Sequence, residues 1–600
     1  MKFKSNLYHI MAGIAGLAIL SACNDSFMDR FPETSITEKL YFKSVKDLET
    51  YTNGMYGYLG SSYSDVPSDN ALYAEDADIY AKMRGEVNPS NDNVPRWGGN
   101  WGSIRSVNFM LQRIGGVKGD KAEINHYVGM AHMFRAHLYY NLVKRYSDVP
   151  WYNKDLQTAD TALLYKKQDP RSLVVDSILA DLDFAVKNMK EVNSKTVISR
   201  DVALSLQARI ALNEGTYRKY HPELELKDGD RFLEIAAIAA KKIIDSKRYT
   251  LSKVEQDGLK SYESLFCSLD LTKNPEMILV ADYDKSLGRF HNAQTVFDYN
   301  WGLSRDLMED YLVLDGNKTK TFQSVAGYDK KSVLEVFENR DPRFEQTFMK
   351  PGYVRANSLI PNRVKQTLGG YAQKKFDPRT YDQISWDKSY TDLPIIRYAE
   401  ILLIYAEAKA EQGKLTQNDL DISINLIRER AGVPAASLTN WLSQIDPVQE
   451  KRYSNVQSAQ KGAVLEVRRE RRIELACEGF RYNDLMRWKN GKLLENTPEG
   501  SYIPGYGTYD ITGDNQPDIA VVGTKADADK IPAADKEKYK LTVYVLEGNT
   551  IELTGGNKGY IRLVAQVNKW KFEEPKYYYQ PISNKDITIN PNLFQNKYWK

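Results

Sequence analysis

The chain has 600 residues, 42% of them hydrophobic, with 82 Lys and Arg against 79 Asp and Glu for a formal charge of +3. That near-neutral balance argues against a nucleic-acid binder, which needs a concentrated basic face to displace counterions. Three Cys exclude a disulfide framework, although one bridge between Cys267 and Cys477 stays arithmetically open.

The chain begins with the parts of a secretory signal. Lys2 and Lys4 precede a short apolar run from Ile10 to Leu20, and small residues follow at Ser21 and Ala22. The run is shorter than the roughly 18–20 apolar residues that span a bilayer as a helix, so cleavage is the expected outcome. Leu20-Ser21-Ala22-Cys23 is similar to a bacterial lipobox, in which the Cys is acylated and the peptide is cut just before it. Residues 1–22 are therefore expected to be a lipoprotein signal peptide and 23–40 a lipid anchor and acidic tether. Several acyl chains at about 0.8 kcal/mol per buried CH₂ would bind membrane essentially irreversibly. No later stretch approaches transmembrane length, so the body is expected to be soluble.

Residues 41–600 read as a single composite domain. Its helical scaffold covers about 41–250 and 394–490, a loop-rich region lies at about 251–393, and an irregular, partly β segment covers 491–600. Ser44-Val45-Lys46-Asp47 is a capping-box pattern, with Leu48, Tyr51 and Met55 following at helical spacing. Tyr127, Met130, Ala131, Phe134, Leu138 and Leu142 form one apolar stripe that ends near Pro150. Pro170 is placed to open the next helix, and Ser199–Tyr217 and Arg231–Ser246 supply two more. Paired helices of this length predict a mainly α fold, a tetratricopeptide-like helical-repeat scaffold with loop-rich insertions and a few short β-hairpins.

Helical period fades between Leu251 and Leu393, where Gly, Asn, Asp and aromatics accumulate, and long irregular regions are more often functional than accidental. Helices return at Pro394–Gln412, Asn418–Ala431 and Ala463–Trp488. In the last, Arg471/Glu474, Glu478/Arg481 and Arg481/Asp484 stand at i,i+3, which predicts surface pairs lacing one helix face. Thr542–Leu546 and Thr550–Leu553 around Gly548-Asn549 read as a hairpin.

Catalytic templates fail. His126, His132 and His137 lack the spacing that sets two metal ligands on one helix face, and no G-x-S-x-G, P-loop or C-x-x-C occurs. Asp510-Ile511-Thr512-Gly513-Asp514 hints at a calcium turn but lacks the terminal Glu of an EF-hand loop, and reads as a surface turn. Glu400 and Glu407 are not diagnostic among 79 acidic residues, although a glycosidase would need such a pair about 5–10 Å apart. Neither a metal nor a cofactor is expected.

In order along the chain, a set of short blocks resembles the SusD/RagB family of outer-membrane nutrient-capture lipoproteins. They are Phe134-Arg135-Ala136 with Tyr139-Tyr140, Tyr146-Ser147-Asp148-Val149-Pro150, Asp310-Tyr311 with Asp315-Gly316, and Ile396-Arg397-Tyr398-Ala399-Glu400. Asn425 to Gly432, Glu470 to Leu475, Glu478-Gly479-Phe480-Arg481, Asp484 to Trp488 and Gln580-Pro581-Ile582 continue the match. Ser147 and Lys597 depart from residues common in that family. The resemblance implies a non-enzymatic protein, lipidated at Cys23 and facing the cell exterior. It would bind an oligosaccharide or polysaccharide and deliver it to a SusC-like TonB-dependent transporter. A surface glycoside hydrolase and a structural or assembly lipoprotein are the competing readings.

The chain contains 40 Tyr, 9 Trp and 19 Phe. A glycan receptor needs such aromatic faces beside amide, carboxylate or guanidinium groups. Two stretches combine them. In Arg96-Trp97-Gly98-Gly99-Asn100-Trp101, the family reading favours Arg96, Trp97 and Asn100 as ligand residues, with Trp101 packing inward. In Asp298-Tyr299-Asn300-Trp301, alternation suits either a ligand surface formed by all four or a half-buried strand. His291 reads as a structural hydrogen-bonder.

Overall fold

The structure is a computed structural model that describes residues 41–600 except 91–93, 95–96, 98, 254, 256–258, 357 and 568–569. Cys23 and Arg96 lie outside the described residues. The fold is mainly α, as its periodicity predicts, with small scattered sheets.

Among the described elements, helix α1 (Val45–Asn53) opens at Ser44, whose backbone N–H donates to Asp47 Oδ2 at 2.8 Å. The short α2 (Asp78–Met83) and α3 (Trp101–Leu111) precede the longest helix, α4 (Lys121–Tyr146). Asp120 caps α4 by accepting from the N–H groups of Ala122 and Glu123, satisfying two donors that a helix start leaves open. Its 26 residues run about 39 Å at 1.5 Å per residue. Pro170 takes the cap position of α5 (Arg171–Asn188), one residue earlier than its sequence reading. Next come α6 (Arg200–Tyr220) and α7 (Gly229–Ser246).

These helices pack in succession, α4 on α5, α5 on α6 and α6 on α7, and α7 meets α8 (Tyr398–Glu411). The α6–α7 approach depends on two glycines. A Cβ on Gly215 would lie 2.9 Å from Leu233 Cγ, and one on Gly229 would lie 2.8 Å from the Gly215 carbonyl oxygen. The apolar faces merge into one core running from Leu48 through Phe134, Leu182, Leu206 and Phe232 to Leu402 and Trp488.

Four elements differ from their sequence readings, one of them Asn418–Ala431, which divides at Ser423 (φ −137°, ψ −93°) into Gln417–Asp421 and Ile424–Ala431. Leu393–Arg397 forms a strand rather than the first turn of a helix, because β-branched Ile395 and Ile396 pair antiparallel with Met277–Ala281. The segment 463–488 divides into α9 (Lys461–Glu474) and α10 (Arg481–Arg487). Cys477 at φ 66° and Gly479 at φ 78° cannot continue a right-handed helix. The expected hairpin at Gly548 does not form: Thr542–Val545 pairs in parallel with Ile519–Val522, while Ile551–Leu553 turns onto Gly559–Leu563.

The break after Glu474 redirects the charges around it. Arg471 binds Asp484 at 2.8 Å, Arg481 binds Asp69 at 2.7 Å, and Glu478 binds Arg397 at 2.6 Å and Lys375 at 2.7 Å. Glu474 receives Arg343, Arg397 and Arg430 together. The side chains of these groups are at most 10% exposed, so the pairs form an internal scaffold between distant segments rather than an exposed helix face. Cys267 and Cys477 are separate buried thiols. Among the described residues no helix is long and apolar enough to cross a membrane.

Candidate ligand-binding surface

Strand Trp301–Leu303 pairs antiparallel with Ala71–Tyr73, setting Trp301 opposite Tyr73. Gly302 is required there, since a Cβ would stand 2.0 Å from the Leu368 carbonyl oxygen. Trp301 is 8% exposed, and its Nε1–H donates to Gln373 Oε1 at 3.1 Å. Its ring is core, and the strand reading of this stretch is the one realised.

The residues just before the strand follow a different path. Asp298 sits at φ 60° and is buried. Its Oδ2 accepts from the Lys365 backbone N–H at 3.0 Å, and its carbonyl accepts from Lys365 Nζ at 2.7 Å. Burial raises its carboxyl to about 6 despite that neighbour. Asn300 is half-buried, and its carbonyl accepts from Ala74 N–H at 2.9 Å. Its Oδ1 is buried with no partner. Tyr299 turns outward, 57% exposed, between these anchored neighbours.

The ring of Tyr299 meets that of Trp386, itself 60% exposed, with centroids 6.0 Å apart and planes at 46°. The Trp386 loop is tied to the opposite segment. Asp387 N–H donates to Asn292 Oδ1 at 2.7 Å, and Asn292 Nδ2 returns a bond to Asp387 Oδ1 at 2.6 Å. His291 Nδ1 accepts from Ala293 N–H at 3.1 Å while Nε2 meets the Thr391 carbonyl at 2.8 Å. Burial lowers this imidazole to about 4, so His291 is a neutral strut.

The other aromatic stretch lies in a different setting. Trp97 is 9% exposed, packed edge-on against Tyr146 at 4.6 Å. Its carbonyl accepts from Trp101 Nε1 at 3.0 Å. Trp97 and Trp101 border a cleft of about 560 Å³ with Tyr152, Leu164 and Ile589. Asn100 stands at the N-cap position of α3 and donates from Nδ2 to the Leu138 carbonyl at 3.2 Å. Trp97 has ring neighbours in Trp101 and Tyr146, so it does not share a platform with Tyr299.

Carboxylates elsewhere have structural partners. Glu400 pairs with Arg209 at 2.6 Å, and Glu407 receives Arg487 at 2.5 Å and Trp488 Nε1 at 2.8 Å. Asp510, Asp514 and Asp518 bring one oxygen each within 4.8 Å. Their oxygens accept backbone N–H groups at Ile511, Thr512, Gly513, Asn515 and Gln516, and Asp518 pairs with Arg363, an arrangement that closes a turn.

Trp386 is the member of this exposed ring pair that periodicity could not reveal. Its one signal is an isolated Trp among polar neighbours, Ser385, Asp387 and Lys388.

Two family models match the chain. One described as "SusD family" covers residues 275–599, and one described as "Starch-binding associating with outer membrane" covers 25–212. A SusD-like protein of Formosa agariphila is 23% identical over 81% of this chain and 92% of its own length. A SusD-like protein of Bacteroides ovatus is 21% identical over 79% and 81%. Among solved structures, a SusD-like carbohydrate-binding protein from Bacteroides fragilis matches 92% of this chain and all of its own, with TM-score 0.63 and 20% identity. A laminarin-binding SusD-like protein matches 93% and 100%, with TM-score 0.54 and 15% identity. With more than half of its residues under the family model, the chain belongs to the SusD family.

Proposed function

We propose that the protein captures a glycan without chemical change and passes it to a SusC-like TonB-dependent transporter. It would do so from a lipid anchor at Cys23 on the outer face of the outer membrane. The observation that carries the binding step is the Tyr299–Trp386 pair, two large rings held in the open by anchored loops. Exposed aromatic faces suit the apolar faces of pyranose rings, and anchoring limits the ordering cost of binding. Family membership and the names of the matched relatives support the glycan class and the membrane setting. Trp97 and Asn100 stand on the separate helical side, outside this surface.

Affinity electrophoresis against a polysaccharide panel, followed by calorimetry on the best binder, tests this reading. A ring face that covers roughly 60 Å² of apolar sugar surface contributes about 1.5 kcal/mol at 25 cal/mol per Å², or about tenfold in affinity. Tyr299→Ala and Trp386→Ala should each weaken binding by about that factor, with no shortening of the glycan during incubation. Unchanged affinity in the double variant defeats the site, and shortened products defeat capture without chemistry.

A further inference from the structure

A second cavity, open to solvent at Asp78 and Arg145, lies along the helical body and shares no lining residue with the Tyr299–Trp386 pair. It holds about 660 Å³ between α2, α4, α6 and α10, and adjoins a smaller space of about 310 Å³ that shares Tyr140, Asn141, Lys144, Asn213 and Asn483. Buried Lys82, half-buried Lys144 and exposed Arg145 line the larger space. Lys82 is 3% exposed, yet its Nζ has no hydrogen bond or ion pair among the described residues. Among the described residues, Lys144 has only the face of Tyr140, 5.7 Å from its Nζ.

The carboxylates nearby do not balance these charges. Asp78 is the one acidic residue lining the larger cavity, and it is exposed at the start of α2. In the smaller space, Glu400 is engaged by Arg209, Glu478 by Arg397 and Asp484 by Arg471. Arg487, also on the wall, is engaged by Glu407. Burial lowers Lys82 to about 7 and Lys144 to about 8, and burial with Lys144 and Arg209 holds His137 down to about 3. Buried ammonium groups are ordinarily paired, because an unpaired one loses its hydration without return. The Nδ2 groups of Asn100, Asn141 and Asn213 on the same wall are taken up by the Leu138 carbonyl, His137 Nε2 and the Arg209 carbonyl, which leaves their Oδ1 atoms to accept from sugar hydroxyls rather than to hold the anion.

We propose that this cavity binds an oxyanion, a carboxylate or sulfate group, carried by a small saccharide. The volume exceeds what a bare anion fills, and Lys82, Lys144 and Arg145 supply the charge. The saccharide part rests on the glycan reading, whereas the anion part stands on the cavity alone.

Thermal shift and calorimetry of the purified protein test it with sodium sulfate, glucuronate, a sulfated disaccharide and neutral glucose, each at ionic strength matched with NaCl. The anions should raise the melting temperature saturably, and glucose should not. Lys82→Met with Lys144→Met should weaken the anions at least tenfold, and Lys144→Gln alone, at a half-buried position, should weaken them in a chain that folds. Tyr299→Ala with Trp386→Ala should leave this response intact, which separates the cavity from the surface site. Tighter binding of the sulfated disaccharide than of sulfate, by tenfold or more, supports a sugar-borne group; equal binding overturns the saccharide part. A wild-type response no larger than that to NaCl, or one retained in the lysine variants, overturns the anion site.

Discussion

Replacing Glu474 by Gln tests the internal scaffold at its most connected point. Oε1 accepts from Arg397 Nη1 at 2.7 Å and from Arg430, and Oε2 accepts from Arg343 Nη1 at 2.9 Å. Glu276, Asp341, Glu470 and Glu478 complete the local set of anions, and Arg428 and Lys375 that of cations. Five positive groups thus face five negative ones, and the substitution leaves one positive charge in excess at almost no change in volume. Removing one partner of a buried pair costs about 3–5 kcal/mol. About 560 residues unfolding with about 2.1 cal/mol/K each give roughly 1.2 kcal/mol/K, so one cooperative transition falls by only about 3–4 °C. Calorimetry resolves that shift. The arginines hold Glu474 well below the usual carboxylate range despite burial. Its stabilisation is therefore complete above the unfolded value of about 4.3 and is lost as pH falls through the depressed folded value. The gap between wild type and Glu474→Gln should stay level from pH 5 to 8 and shrink by roughly 2 kcal/mol by pH 3. A variant within 1 °C of wild type at pH 7, or a gap unchanged down to pH 3, would refute the reasoning.

Trp301→Ala should cost about 3–5 kcal/mol, because it empties a core site, and melting temperatures set beside those of Trp386→Ala should separate a structural ring from an exposed one. Gly215→Ala forces a methyl to 2.9 Å from Leu233 and 3.0 Å from the Gly229 carbonyl. It should cost about 1–3 kcal/mol, visible in denaturant midpoint without loss of helical signal. Burial raises the Cys267 thiol to about 11 and pushes Cys477 up as well. Neither should react with a disulfide reagent at pH 8 until the chain is unfolded, when both react; rapid labelling of the native protein would contradict their placement.

The helical half of the fold was legible because its signal is local. The stripe from Tyr127 to Leu142 lies within α4, and the Ser44 capping pattern sits where α1 begins. The ion scaffold was not, because its partners are far apart in sequence. Glu474 meets Arg343 across 131 positions and Arg397 across 77, whereas i,i+3 spacing suggested neighbours on one continuous helix. That inference needed the helix to continue past Cys477, and nothing in the pattern marked the positive φ there. The strand at Leu393–Arg397 was hidden for a related reason, since its partner Met277–Ala281 lies over a hundred residues earlier.

Tyr299 and Trp301 show how the same limit bears on the proposed site. Strand alternation would put both rings on one face, and the sequence therefore offered them as a pair or as a half-buried edge. The strand starts only at Trp301, and Asp298 at φ 60° bends the chain before it, so alternation does not extend back to Tyr299. Trp301 fixes the strand by entering the core and engaging Gln373, which in turn donates to the carbonyls of Tyr63 and Lys375. Lys365 fixes the bend from the other side. Tyr299 is left as the one ring of the segment that faces outward, and its partner comes from residue 386 rather than from its own strand. The proposed surface is therefore a product of tertiary anchoring: the buried Trp and Asp fix the backbone on both sides of the exposed Tyr, and an anchored segment has less freedom to lose when a sugar settles on its ring.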